Sequence, residues 1–240
     1  MRIVSLSPSN TEILCALGCE KELVGVTSLC DYPRELSVSR VSSWVDPDLR
    51  EVTRLKPDLV FTSGFTQQSL ADSLRKKGLS VFHVDPHSLK DVLSSFKEIG
   101  EVVGKRKEAN SLVKEFKKKS VSKKLGKRVL CLQWLNPFMA SGYWVPDLLK
   151  KAGCKSLLKS GEDSRVFSPE ELKKFNPEAI IVSVCGAGAA VSAQSILDNE
   201  FFKNTDAVKK NKVFVIDDVL LNRPGPRLIE SIIELDRALK

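Results

Sequence analysis

DPDLREVTRLKPDLVFTS at residues 46–63 and SPEELKKFNPEAIIVSV at residues 168–184 read as one structural unit written twice. In each, a capping residue, Asp48 or Ser168, opens a short amphipathic helix. A Lys56-Pro57 or Asn176-Pro177 step then stops the helix, because the proline ring crowds the preceding residue out of the helical region. A buried run of apolar residues follows at once. Pro57 and Pro177 lie 120 residues apart in a chain of 240. One such unit in each half predicts two similar lobes.

Short β-branched runs alternate with amphipathic stretches along the rest of the chain. Strands are expected at Ile3–Ser5, Val24–Thr27, Leu59–Phe61, Val81–Val84, Val129–Leu132, Ile180–Val184 and Val213–Ile216. Helical stretches between them make βαβ units, hence an α/β fold with mainly parallel sheets. Parallel strands are covered on both faces, which accounts for continuous runs such as AIIVSV. Between the halves, Leu89, Val92, Leu93, Phe96, Ile99, Val102 and Val103 keep helical spacing, broken at Gly104 and resumed from Ala109 to Phe116. The division that follows is an N-terminal α/β lobe at 1–104, a connecting backbone helix at 105–126 and a C-terminal α/β lobe at 127–240. A long connecting helix would hold two lobes at a fixed separation.

The net charge of +8 is concentrated. Residues 105–128 carry eleven of the 38 Lys and Arg residues against Glu108 and Glu115, with Phe116 the one aromatic residue among them. Nucleic-acid sites interleave aromatic residues with bases or carry a reading motif. This tract does neither and reads as a solvated helix face, so no nucleic-acid partner is expected. No apolar run approaches a membrane span. The opening MRIVSLSPSN lacks the apolar region and cleavage site of a secretory signal, which as written implies a cytoplasmic chain. A leader trimmed from the sequence would instead imply an extracytoplasmic one. Six cysteines without CxxC or zinc-ribbon spacing fit buried thiols better than a disulfide framework. A monomer is expected.

Catalysis has little to work with. His83 and His87 are the neutral-pH bases, no GxSxG elbow accompanies them, and CGAGAAVS at 185–192 lacks a phosphate-loop ending. SLSPSNTE replaces a GxGxxG after the first strand, with Ser9 or Asn10 expected to cap the first helix. No catalytic residue and no catalytic cofactor is assigned. The aromatic residues say more. Trp44, Trp134 and Trp144 fall outside the expected strands and helix interiors, Phe65 follows a strand, and Phe138 and Tyr143 flank the later tryptophans. Loops after parallel strands form the ligand edge of α/β sheets, and large flat side chains there suit a large, flat, partly apolar ligand. Cys30 and Cys185 also follow strands, one in each half, and a thiolate there could touch a soft metal ion.

Five stretches occur in an order that resembles one family: 5–33 (SLSPSNTEILCALGCEKELVGVTSLCDYP), 41–64 (VSSWVDPDLREVTRLKPDLVFTSG), 132–149 (LQWLNPFMASGYWVPDLL), 167–186 (FSPEELKKFNPEAIIVSVCG) and 222–230 (NRPGPRLIE). They are similar to successive landmarks of the cobalamin-binding proteins that serve ABC importers. The resemblance implies two Rossmann-like lobes joined by a backbone helix, with a corrinoid (cobalamin or cobinamide) held in the cleft. It implies that Trp44 faces the corrin. Leu29 falls where a pocket tyrosine is common, and His83 where some members have another aromatic. Asn136 and Phe138, with Leu221–Arg223 and so Asn222 and Arg223, fall on the second lobe's side of the pocket. Family members dock on an ABC permease through one surface glutamate per lobe; Glu170 matches one, while Gln68 stands where the other belongs and cannot form a charge-assisted pair. A cytoplasmic corrinoid carrier is a variant of the same reading, and two alternative classes stay open. A ferric siderophore would call on cations such as Arg223, and haem on an axial ligand such as His83. An enzyme or metallocluster scaffold on the same lobes is the third class.

Overall fold

The computed structural model describes residues 1–41, 43, 44, 46–119 and 126–239. The chain divides into two compact units, Met1–Pro86 with Leu93–Lys114, and His87–Val92 with Glu115–Lys240. Each is an α/β lobe.

The first lobe is a five-stranded sheet in the order β3-β2-β1-β4-β5, built from β1 (Ile3–Ser5), β2 (Leu23–Thr27), β3 (Ser39–Val41), β4 (Leu59–Ser63) and β5 (Val81–Val84). Every adjacent pair is parallel. All strand C-termini therefore lie along one edge. Helices α1 (Pro8–Ala16), α2 (Leu49–Arg54) and α3 (Gln68–Lys76) make crossovers. Val4, Leu6, Val41, Val52, Val60, Leu70 and Leu74 form a buried cluster between the sheet and α2 and α3. The expected cap of α1 moves: Ser7 is the N-cap, without a side-chain cap bond, and Pro8 takes the first turn. Proline presets the helical φ and has no N–H to satisfy. That leaves Asn10 free to donate to the Thr62 carbonyl at 3.0 Å instead.

The interruption at Gly104 is a full break. Helix α4 (Leu89–Val102) ends there and α5 (Arg106–Lys119) begins two residues later. Gly104 has φ +71°, while Lys105 N–H returns to the Gly100 carbonyl at 2.6 Å and Gly104 N–H to Glu101 at 3.2 Å, a left-handed helix stop. Gly100 also lets the helices touch, since a Cβ there would sit 2.4 Å from that of Ala109. Two 14-residue helices thus flank Gly104, where the sequence pattern is interrupted. On α5, Ala109, Val113 and Phe116 are buried while Arg106, Lys107, Lys114, Lys117 and Lys118 are exposed. The expected continuation of this helix over residues 120–125 lies outside the described residues.

The second lobe holds a six-stranded mixed sheet, β11-β10-β6-β7-β9 with β8 also on β6. Its strands are β6 (Arg128–Leu135), β7 (Phe138–Ala140), β8 (Lys155–Ser156), β9 (Arg165–Val166), β10 (Ala179–Val182) and β11 (Val213–Val215). β6 pairs in parallel with β8 and β10, and β10 with β11; β7 is antiparallel to β6 and β9. Around them stand α6 (Val145–Lys151), α7 (Pro169–Phe175), α8 (Gln194–Leu197), α9 (Asp206–Lys209), α10 (Asp218–Leu221) and α11 (Leu228–Leu239). The seven strands expected from sequence are all present, Ile3–Ser5 and Val81–Val84 with the expected ends and the other five with shifted ones. Those missed (β3, β7, β8 and β9) are two or three residues long and lack a continuous β-branched run.

The repeated unit takes the same form in both lobes. Asp48 Oδ1 accepts from Arg50 N–H at 2.8 Å at the start of α2. Ser168 and Glu171 form a reciprocal capping box on α7. Lys56 and Asn176, the residues before the prolines, both have positive φ (46° and 42°). An arginine braces each corner: Arg2 donates from Nη2 to the Leu55 carbonyl at 2.7 Å, and Arg128 from Nε to that of Asn176 at 2.8 Å. Replacing Ser168 by alanine should lower stability by about 1 kcal/mol, read as the shift in urea midpoint. Asp48→Ala, which likewise removes one cap bond, should cost a similar amount. An unchanged midpoint in either variant would show that its cap bond adds nothing to stability.

Candidate functional site

In the first lobe the strand C-termini carry most of the expected residues. Leu29 follows β2 and is 51% exposed; Phe65 follows β4 and is 84% exposed. Trp44 lies beyond β3, half-buried, and its indole Nε1 is enclosed with no hydrogen-bond partner among the described residues. His83 differs. It sits within β5, where Nδ1 meets Thr62 Oγ1 at 2.9 Å and Nε2 is enclosed with no partner among the described residues. Burial holds its pKa below the usual histidine range, so the ring is neutral at pH 7.

Beneath this edge lies a concentration of buried polar groups that the sequence did not announce. Ser5, Ser7, Ser9, Asn10, Thr11, Thr27, Thr62, Ser63 and Gln67 are all buried. Thr11 Oγ1 donates to Ser5 Oγ at 2.8 Å, and Ser7 Oγ meets Ser9 Oγ at 2.9 Å. Cys30 belongs to this network and does not open outward as expected. It is 1% exposed, with its sulfur 3.1 Å from Thr11 Oγ1 and 3.2 Å from Thr27 Oγ1. Burial raises its pKa, which suits a thiol and not a thiolate ligand.

In the second lobe Trp134 and Asn136 stand at the end of β6, Cys185 follows β10, and Asn222 and Arg223 follow α10. Trp134 is inside β6 and not after it, because the strand runs on to Leu135 and turns back into β7. The residue is still 45% exposed, with Nε1 donating to the Asn136 carbonyl at 2.8 Å. Trp144 caps α6 half-buried and donates to the Leu221 carbonyl at 2.8 Å. Asn222 Nδ2 donates to the Ser183 carbonyl at 2.8 Å. Phe138 turns into the lobe, stacked on Phe201 at 5.4 Å and edge-on to Phe202 at 4.7 Å.

Asp218, one of an acidic pair that looks unremarkable in sequence, organises the glycine loop after β10. Its carboxylate accepts from Gly186 N–H at 2.9 Å and Gly188 N–H at 2.8 Å, both glycines having positive φ. Its neighbour Asp217 caps α10 through Val219 N–H. Cys185 begins this loop and is exposed. Desolvation of the thiol, with the Asp218 carboxylate adding to it, pushes its pKa up to about 11. No group of three or more His, Cys, Asp or Glu side chains among the described residues could hold a metal ion. The residues matched to transporter docking are both exposed: Glu170 in the first turn of α7, and Gln68 at the start of α3, 3.2 Å from the Asp72 carboxylate.

In both α/β lobes, exposed apolar side chains thus stand at or near strand C-termini, the edge where such sheets take ligands. The chain belongs to the periplasmic binding protein family, whose model matches residues 3–220. It is 30% identical, over 99% of its length and 79% of the relative's, to an uncharacterized ABC transporter substrate-binding lipoprotein of Bacillus subtilis (strain 168). It is 29% identical to a vitamin B12-binding protein of Salmonella paratyphi A, over 99% of this chain and 90% of that one. Among solved structures, a periplasmic heme-binding protein of Roseiflexus sp. RS-1 shares the fold at a TM-score of 0.81 and 20% identity, covering 99% of this chain and 97% of that chain. No helix among the described residues is long and apolar enough to cross a membrane.

The raised Cys185 pKa has a direct consequence. A thiol near pH 11 is almost wholly protonated at pH 7, and its reaction rate follows the thiolate fraction. Alkylation of Cys185 by iodoacetamide, followed by peptide mass spectrometry, should climb roughly tenfold per pH unit from 7 to 10. A plateau near pH 9 would show an ordinary thiol and remove the desolvation, and with it the smaller influence of Asp218, assigned to this group.

Proposed function

We propose that this chain binds a corrinoid, cobalamin or cobinamide, as the substrate-binding component of an ABC importer, and that it is not an enzyme. The observation that carries the ligand class is the exposure of Leu29, Phe65 and Trp134 at strand C-termini, where ligands of parallel α/β sheets bind. Large apolar side chains left in water at such an edge call for a large, partly apolar ligand. The full-length likeness to a vitamin B12-binding protein supports the same class. Trp44 and Phe65 in the first lobe, with Trp134, Asn136, Asn222 and Arg223 in the second, are the proposed contacts. Leu29 completes the set.

Haem would need an axial donor open to the ligand. His83 holds one ring nitrogen against Thr62 and the other enclosed, so it does not supply one. A ferric siderophore anion would call for a cluster of cations at the strand ends, with Arg223, just after α10, the candidate in the second lobe. On the transport side, the lipoprotein relative supports work outside the cytoplasm, with Glu170 as one docking acid. Beside Gln68, Asp72 supplies a carboxylate that its hydrogen bond from Gln68 keeps below the usual range.

Calorimetric titration with cyanocobalamin and cobinamide, with haem and a ferric siderophore as controls, tests the ligand. One-to-one corrinoid binding is expected, and Trp44→Ala should weaken it roughly tenfold, about 1.4 kcal/mol. Binding of haem or siderophore without corrinoid would overturn this reading while leaving the family intact.

A further inference from the structure

The side chain of Gln67 has an unusual position: it is wholly buried and every hydrogen-bonding atom of its amide is used. Oε1 accepts from Ser63 N–H at 2.8 Å, at the end of β4. Nε2 donates one proton to the Leu6 carbonyl, just beyond β1, and the other to the Trp44 carbonyl, both at 2.7 Å. Two carbonyls and one N–H admit only one orientation of the amide, and no other natural side chain of this length offers two donors and an acceptor in that plane. A glutamate would keep the bond to Ser63 and set an oxygen against two carbonyl oxygens. Gln67 also ends the 3-10 turn Phe65–Gln67, so the turn that points Gln67 inward leaves Phe65 outward at 84% exposure.

We propose that Gln67 is the positioning residue of the first lobe's ligand edge, fixing the Trp44 segment and the Phe65 turn to the ends of β1 and β4. It acts on ligand through these two side chains and does not touch it. The indole of Trp44 has no hydrogen-bond partner among the described residues, while the backbone bond from Gln67 ties its carbonyl to the loop ends of β1 and β4. A pre-placed aromatic side chain binds without the entropy cost of ordering it, which is where the effect on affinity arises. This inference rests on the proposal that Trp44 meets the ligand, and its test separates the two.

Cyanocobalamin affinity is measured for the wild type, Gln67→Met, Trp44→Ala and the double variant. Methionine matches glutamine in length and removes the donors. If Gln67 works through Trp44, Gln67→Met weakens binding roughly tenfold alone and adds little in the Trp44→Ala background. An equal penalty in both backgrounds, or none in either, overturns the proposal. If the wild type binds no corrinoid, the ligand reading has failed and positioning is read without ligand. With Trp134 and Trp144 replaced by phenylalanine, Trp44 fluorescence should become about twice as quenchable by acrylamide in Gln67→Met; unchanged quenching overturns positioning. Should the variant not fold, the wild type still decides: the Gln67 side-chain amide protons, both bonded and buried, should exchange far more slowly than those of exposed Gln68. Equally fast exchange overturns the proposal.

Discussion

Both lobes depend on one constraint, the abrupt passage from helix to buried strand at Lys56-Pro57 and Asn176-Pro177. Proline forbids continuation of the helix, and the residue before it takes positive φ, leaving terminal carbonyls that must be satisfied. An arginine does so in each case. Arg2 reaches Leu55 and Lys56 carbonyls, and Arg128 reaches Asn176. Each arginine adjoins or opens the central strand of its sheet, β1 or β6, and its backbone N–H is accepted by Asp58 or Glu178 just after the proline. The return bonds, Asp58 N–H to Arg2 and Glu178 N–H to Arg128, are both 2.8 Å. The corner therefore sets the register between the two innermost strands of each sheet. Once β1 and β4, or β6 and β10, are aligned, the loops leaving their C-terminal ends have fixed starting points.

The lobes then hold those loops by different chemistry. The first uses short hydroxyl side chains and two amides, Asn10 and Gln67, with Ser5, Ser7, Ser9 and Thr11 bonded to each other beneath the edge. The second uses a carboxylate with backbone N–H groups, Asp218 on Gly186 and Gly188, and pins the strand end through Asn222 on Ser183. A buried carboxylate is stable only where its charge is met by donors. Two backbone N–H groups in a glycine turn meet it directly.

Much of the fold was legible because it is governed by local pattern. The Asp48 and Ser168 caps, the two proline stops, the seven expected strands and the break at Gly104 all follow from residue type and spacing. Features that depend on contacts far along the chain were not. Nothing in SPSNTE distinguishes a Ser9 cap from a Ser7 cap; the choice follows from Asn10 being drawn to Thr62, 52 residues away. Trp134 looked like a loop residue because β6 outruns its apolar run into a hairpin. Cys30 looked open because it follows a strand, yet two threonines close over it. Resemblance drew attention to Gln68, while the sequence-adjacent Gln67 carries the buried bonds. Two successive glutamines look alike until the turn before them sends one inward and the other out.

That contrast bears on how the site can diversify. Exposed residues at strand ends, such as Leu29, Phe65 and Trp134, can change size or polarity at small cost to the lobe, because little packs on them. Buried polar residues beneath them cannot, since removing one partner strands another donor or acceptor out of water. Ligand preference in such a lobe is therefore free to drift through its outer side chains while the geometry that presents them stays fixed. The occurrence of vitamin B12 and heme binders among its relatives and structural neighbours is what that division of labour would produce. Similarity of fold consequently says little about the ligand, and the outward-facing residues of each edge say most.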